Sequence, residues 1–403
     1  MSLSSLPLSY CTNVHPGLTV SAVLEGLQTY TVPLQREFAA PVAAGLWLAE
    51  PVIREILNAE SGAERFSDQL ADLGLVCHTL NAFPYGDFHS ERVKDQVYLP
   101  DWSTPERLRY TCDCARILAS FLPEKGEGSI STLPLGFKGH RQSDQFHSQV
   151  IRNLIEVAEF LERLHRETGK LIRLGIEPEP FCLLETTPET IDFFHALRQA
   201  APDSTVEQRL RQYIGLCYDV CHQAVEFEDI GPSIRSIDQA GIRINKLHIT
   251  CALQLDRPAT NREGREFLAT YAEPRYLHQT IGRSDDGKLL RFVDLTPEFA
   301  LHPESDWHNA DPWRIHFHVP VNAETVGPLR TTREQLVQAV QAVADLDYAP
   351  HLEVETYTWG VLPSGDQSSP PQKRTPAEKL VRGLAEELHA TRQLIERIRT
   401  RDA

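Results

Sequence analysis

No apolar stretch in this chain approaches the ~20 residues that a membrane-spanning helix needs, so no membrane span is expected. A basic-then-apolar leader is absent too, and the expected compartment is the cytoplasm. Positive charge is scarce: 40 Lys plus Arg stand against 56 Asp plus Glu, and the resulting −16 repels phosphate backbones and anionic lipid surfaces. Nucleic acid is therefore not expected as a partner. Among the eight cysteines no C-x-x-C pair occurs; Cys112-Asp113-Cys114 and Cys217…Cys221 are spaced otherwise. Most lie in apolar runs such as Gly215-Leu216-Cys217-Tyr218, which points to reduced, buried thiols and away from a disulfide scaffold. No repeat of solenoid type is visible.

What is present is a rhythm. Hydrophobic residues at 41% and charged residues at 24% fit an ordinary folded chain. Within its 403 residues, short apolar or β-branched segments recur, each ending in polar residues and followed by a stretch of helical spacing. That is the pattern of repeated βα units. The strand candidates are residues 6–13, 44–49, 75–83, 129–136, 172–178, 213–220, 244–252, 313–319 and 351–357. Thr104-Pro105-Glu106 and Thr187-Pro188-Glu189 start two of the intervening helices with a hydroxyl cap, a proline and an acidic first turn. The expected fold is one (β/α)8 TIM barrel over residues 1–403, and nine candidates for eight strands leave one to an insertion. Residues 253–311, after the seventh strand, are that insertion; the Ser284-Asp285-Asp286-Gly287-Lys288 turn between two extended runs reads as a hairpin on the barrel's active face. Residues 362–375, rich in Pro, Ser and Gln, read as a surface loop. Residues 376–400 carry Leu380, Leu384, Leu388, Leu394 and Ile398 at a spacing suited to a closing helix that serves packing or a dimer surface.

The chemistry collects at strand ends, because in a parallel barrel those ends and the loops after them form the active face. Ile176-Glu177-Pro178-Glu179-Pro180 closes the fifth strand, with Glu185 six residues past Glu179. Cys217-Tyr218-Asp219-Val220-Cys221-His222 closes the sixth, His248 lies in the seventh, His316-Phe317-His318 in the extra candidate, and Leu352-Glu353-Val354-Glu355-Thr356 closes the last. Carboxylates and imidazoles converging from separate strands suit a divalent cation: Mn²⁺, Mg²⁺, Co²⁺ or Zn²⁺. Side chains two apart share a face, so Glu177 with Glu179, Glu353 with Glu355 and His316 with His318 are in phase, and phase does not choose between partners. Asn81, Phe83, Tyr85 and Trp359 either wall a ligand pocket or cap the barrel. His15, His89 and His140 read as surface or core histidines, and Glu226-Phe227-Glu228-Asp229 as a solvated loop.

The order Glu, Asp-x-x-His, His, Glu on successive strands, with the phrases Ile176-Glu177-Pro178, Asp219-Val220-Cys221-His222 and His316-Phe317-His318, resembles the xylose isomerase-like TIM-barrel superfamily of sugar phosphate isomerases and epimerases. Longer phrases, among them Asn81-Ala82-Phe83-Pro84-Tyr85-Gly86 and residues 9–16, 96–102, 177–187, 217–229 and 351–359, resemble its EboE-type metabolite traffic proteins. The resemblance implies a metal-dependent barrel whose ligands are Glu177 or Glu179, Asp219, His318 and Glu355, with His248 as second choice for the histidine. His222 would face substrate, and Asn81, Glu185, His316 and Trp359 are the further substrate-side candidates. A small-molecule metabolite, a secondary-metabolite precursor, is the implied ligand, and proteins of the same gene cluster are implied partners.

Two functional classes follow. In the first, a cation chelates a vicinal carbonyl and hydroxyl, and Glu177 or Glu179 with Glu355 takes and returns a proton, giving epimerisation or isomerisation. In the second, the same barrel mouth holds or hands over a metabolite without catalysis. Phosphodiester hydrolysis on this scaffold would want extra histidines and a basic groove, and the net charge counts against it.

Overall fold

The computed structural model describes residues 3–363 and 375–401, so most of the loop expected over 362–375 lies outside the described residues. Among the described residues, eight parallel strands close into the expected barrel: Ser9–Cys11, Ala43–Trp47, Thr79–Asn81, Glu127–Thr132, Leu171–Ile176, Ile214–Asp219, Ile244–Ile249 and His351–Val354. The last pairs with the first through Ser9↔Glu353 and Tyr10↔Val354. Helices cover the outside, so strands such as Ala43–Trp47 are buried along their whole length. The helix Phe146–Thr168 shows why these segments fold as they do: Val150, Leu154, Val157 and Leu161 recur on one buried face, and Gly169 ends it at φ +72°. Thr104 caps its helix as expected, whereas the cap of Thr187–Gln199 is Thr186, one residue before the expected hydroxyl, in a capping box with Glu189.

Between the seventh and eighth barrel strands the chain builds a second, antiparallel sheet that runs from Leu253 to Thr331. Leu289–Phe292 pairs with Thr280–Ser284 across the expected turn, where Gly287 holds φ +83°. Thr280–Ser284 then pairs with Ala310–Ile315, which pairs with Leu253–Leu255 and so carries the hairpin back to the barrel. The candidate at 313–319 therefore splits. Its first half is a strand of this second sheet, and its second half, His316 to Val319, runs through the barrel mouth. The rings of Phe299, Trp307 and Trp313 pack together within 5.4 Å and form the insertion's own apolar centre.

The C-terminal helix Pro376–Arg401 buries Leu384, Leu388, Leu394 and Ile398, and Arg392 lies 4.6 Å over the ring of Phe38. None of the described helices is long and apolar enough to cross a membrane. The Glu387 carboxylate on this helix is fully buried and accepts from Val321 N (3.0 Å), Thr356 Oγ1 (2.6 Å) and Trp359 Nε1 (2.9 Å). It thereby ties the end of the insertion and the end of the eighth strand to the helix. Glu387→Ala leaves the buried Val321 N and Thr356 Oγ1 and the half-buried Trp359 Nε1 without an acceptor and is expected to cost about 3 kcal/mol, read as a lower urea midpoint at unchanged m-value, with Glu387→Gln costing less.

Candidate functional site

Four side chains from four consecutive barrel strands meet at the mouth. His248 Nδ1 lies 3.0 Å from Glu177 Oε1, 3.1 Å from Glu355 Oε2 and 3.5 Å from Asp219 Oδ2, and all four residues are buried. Local structure aims each of them. Asp219 ends the sixth strand and caps the short helix Val220–Val225, so its Oδ1 accepts from His222 N (3.1 Å) and Thr250 Oγ1 (2.7 Å). Glu355 Oε1 accepts from Asn13 Nδ2 (2.7 Å) and Asn81 Nδ2 (3.0 Å). The outer oxygens of Asp219 and Glu355 are thus satisfied while Glu177 Oε1, Glu355 Oε2 and Asp219 Oδ2 converge on His248, and Asp219 Oδ2 and Glu177 Oε2 are left without a hydrogen-bond partner. Separations of 3.0–3.5 Å are those that ligands about 2.1 Å from one ion adopt toward each other. Three oxygens and one nitrogen suit Mg²⁺, Mn²⁺, Co²⁺ or Zn²⁺.

Electrostatics point the same way. Burial pushes the Asp219 carboxyl up, but His222, His248 and His318 together hold it well below the usual carboxylate range. Glu355 is likewise held down against burial by His248 and His318. Burial works against a charge on His248, yet its anionic neighbours, Glu177 and Glu355 among them, raise its pKa well above the ordinary imidazole value. A single proton on this ring balances only part of the surrounding negative charge; a divalent cation balances more of it.

A second polar layer lies directly beneath. Glu353, two residues before Glu355 and in phase with it, accepts from Ser9 Oγ (2.7 Å), pairs with Lys246 Nζ (2.6 Å) and stands 3.3 Å from His248 Nε2. Burial opposes both charges, yet Lys246 holds Glu353 below the usual range and Glu353 raises Lys246. Gly45 makes room for this carboxylate: a Cβ there would lie 1.6 Å from Glu353 Oε2. Glu353 therefore orients the far side of the imidazole whose Nδ1 faces the converging carboxylates.

Beside the ring, three imidazoles converge. His316 Nε2 is 3.1 Å from His222 Nε2 and 3.3 Å from His318 Nε2. Each Nδ1 faces an acceptor, Pro178 O for His222, Gln279 Oε1 for His316 and Glu355 O for His318, at 2.8–3.0 Å. In its neutral form each ring carries its proton on Nδ1 and points an Nε2 lone pair at its neighbours, and against burial Asp219, Glu179 and Glu177 raise the pKa of His222. Asp219 Oδ2 lies 4.0 Å from the Nε2 of both His222 and His318, so this carboxylate faces both groups. Burial, together with the other imidazoles, lowers the pKa of His316 well below the ordinary value. Glu179 joins on the far side, 3.5 Å from His316 Nδ1; burial pushes it up to about 7 while His222 and donors from Tyr98 and Gln279 oppose the shift.

These groups line the floor of the cavity at the barrel mouth. The loop after the third strand and the insertion roof it, joined where Val93 N and Lys94 N donate to Arg275 O at 2.8 Å. Of the residues singled out in the sequence, Glu177, Glu179, His222, His316, His318, Glu355 and Asn81 line the cavity, and Asp219 and His248 lie directly under it. Glu185 and Trp359 point elsewhere. Glu185 pairs with Lys138 and with Arg291 of the hairpin, while the Trp359 ring packs on Gly383 and donates to Glu387. Glu226, expected on a solvated loop, is buried and pairs with Arg291, because the hairpin folds over it. Sequence reasoning missed Asn13, Lys246, Tyr98 and Gln279. Asn13 and Tyr98 sit in the phrases that carried the family resemblance; Lys246, a lysine within the strand segment Ile244–Ile249, carried a signal of its own.

No protein-family profile matches the chain, and no curated protein matches it either. Solved structures do. A xylose isomerase-like TIM barrel protein from Mycobacterium smegmatis, in complex with magnesium, gives a TM-score of 0.52 at 12% identity, covering 98% of this chain and 99% of that one. An L-ribulose 3-epimerase gives 0.50, also at 12% identity, over 98% and 96%. The fold is thus that of the xylose isomerase-like (β/α)8 barrels. Lys246→Met alone strands the buried Glu353 carboxylate and is expected to cost about 3–5 kcal/mol, whereas Lys246→Met with Glu353→Gln regains roughly half or more, as urea unfolding reads.

Proposed function

We propose that the protein is a divalent-metal-dependent isomerase or epimerase acting on a small hydroxy-carbonyl compound. The observation that carries this reading is the ring of Glu177, Asp219, His248 and Glu355, whose inner oxygens share one imidazole nitrogen in a buried site. The donor set fits a cation, which when bound supplies the charge that polarises a substrate carbonyl. The residues of the chain do the rest. Glu177 and Glu355, from the fifth and eighth strands, act as the proton pair: one removes the proton from the carbon between carbonyl and hydroxyl, and the electron pair moves onto the carbonyl oxygen. The other returns a proton to the opposite face, giving the epimer, or to the neighbouring carbon, giving the isomer. Asn13 and Asn81 hold Glu355 in place for that transfer.

The converging lone pairs of His222, His316 and His318 support a second cation next to the first, with Asp219 between the two. Such a triad is also what a phosphodiester hydrolase would need. The basic groove that would accompany it is not formed: among the described residues lining the cavity, Lys94 is the one Lys or Arg. The EboE-type resemblance narrows the substrate to a secondary-metabolite precursor. What supports it is that two of the stretches carrying it, 81–86 and 351–359, supply Asn81, Phe83, Pro84, Glu355 and Tyr357 to the cavity.

Protein purified without chelator is expected to carry two divalent ions per chain by elemental analysis, with Asp219→Asn losing both and His316→Ala losing one. In deuterated water the metal-loaded protein should exchange the carbon-bound proton of its substrate, and Glu177→Gln should slow that exchange by about 10²-fold or more. No bound metal, even after incubation with Mn²⁺ or Zn²⁺, would overturn the reading; metal without exchange against a panel of hydroxy-carbonyl compounds would leave a metabolite-binding barrel in its place.

A further inference from the structure

We infer that the cavity takes a small uncharged molecule bearing two adjacent oxygens at one end and an apolar ring or chain at the other, and that it selects against free polyols and sugar phosphates. This inference rests on the metal-site reading and deepens it by naming the substrate class.

Polar and apolar groups are segregated along the cavity. Its floor presents Glu177, Glu355 and the three imidazoles, whereas its walls and roof are Phe83, Phe88, Val93, Val97, Tyr276 and Tyr357. The rings of Phe88, Tyr276 and Tyr357 contact one another, with centroids 4.9–5.4 Å apart, and form one continuous aromatic surface. Among the described residues of this wall, Tyr357 Oη is the one side-chain polar atom without a hydrogen-bond partner; the neighbouring phenols are engaged. Tyr276 Oη donates to Phe88 O at 3.1 Å, and Tyr98 Oη donates to Glu179 Oε1 at 2.7 Å.

Lys94 would be the obvious phosphate ligand, but it is clasped. Its Nζ donates to Tyr276 O (2.6 Å) and Glu273 O (3.0 Å) and pairs with Asp294 Oδ2 (2.7 Å). An ammonium has three donors, and here each has a partner. Its backbone sits at φ +41°, a conformation kept by these contacts and by the Val93–Arg275 junction, so the lysine joins loop to insertion and leaves no donor for substrate. A phosphate or a run of sugar hydroxyls carried to this end would give up its water with Tyr357 Oη alone to replace it, while an apolar group would gain burial.

The test uses the metal-loaded full chain and two probes with the same pair of oxygens, acetohydroxamate and benzohydroxamate, titrated by calorimetry. Benzohydroxamate is expected to bind about tenfold more tightly or better. D-fructose 6-phosphate should bind no more tightly than D-fructose. Phe88→Ala should shrink the hydroxamate difference to under about threefold with acetohydroxamate binding unchanged; should that variant not fold, Val97→Asn serves the same purpose. Equal affinities for the two hydroxamates, or a clear preference for the sugar phosphate, would overturn the inference. Elemental analysis of the same sample and binding of benzyl alcohol to metal-free protein, read by saturation-transfer NMR, separate the two claims. Metal bound with no preference for the phenyl group overturns the apolar subsite and keeps the metal site. Benzyl alcohol bound without any metal, and lost in Phe88→Ala, does the reverse, and failure of both overturns both.

Discussion

Buried carboxylates repel one another, and the mouth of this barrel gathers Glu177, Asp219 and Glu355 around a single imidazole nitrogen. In a low-dielectric interior that arrangement is unstable without compensating positive charge. Much of the surrounding structure supplies or conserves it. Asn13, Asn81 and Thr250 donate to the outer oxygens and so fix where the inner ones point. Beneath, a fourth carboxylate, Glu353, is matched by Lys246 so that the layer supporting His248 is neutral. The site is therefore built in tiers, and the lower tier, neutral in itself, adds no further charge beneath the carboxylates.

The roof depends on the same logic at longer range. The hairpin of the insertion is held over the barrel by Arg291, which pairs with the buried Glu185 and Glu226. Lys94 and Asp294 pin the loop after the third strand to the insertion. With both in place the cavity floor is screened by aromatic rings, and an enclosed floor strengthens every charge interaction within it. The ion pairs of the roof are thus positional. They use up the cations that might otherwise have met a charged substrate.

Much of this was legible in the chain. The alternation of apolar segments with helical stretches predicts a barrel because period 2 and period 3.6 are imposed locally. The Asp-Asp-Gly turn predicts a hairpin for an equally local reason, the need for positive φ at Gly287. Glu177, Asp219, His222 and Glu355 stand out because polar groups at the ends of apolar strands need an explanation. What could not be read was depth. Glu353 and Glu355 share a face, and only the barrel's register places one beside Lys246 and the other among the converging carboxylates at the mouth. His248 and His318 were likewise indistinguishable as ligands by spacing, since the insertion lies between them. Glu226 looked solvated because the strand that buries it comes 65 residues later.

The sequence by itself determined the fold class, the face on which chemistry gathers and the kinds of ligand available, since these follow from local periodicity and from residue type. Tertiary structure decided which carboxylate serves the ring and which serves the layer below. It also gathered His222, His316 and His318 into one group, and turned Glu185 and Trp359 away from the cavity. The physical reason is closure. A barrel brings together side chains that are far apart in the chain, and the mutual repulsion or pairing of buried charges selects among arrangements that local sequence leaves equivalent.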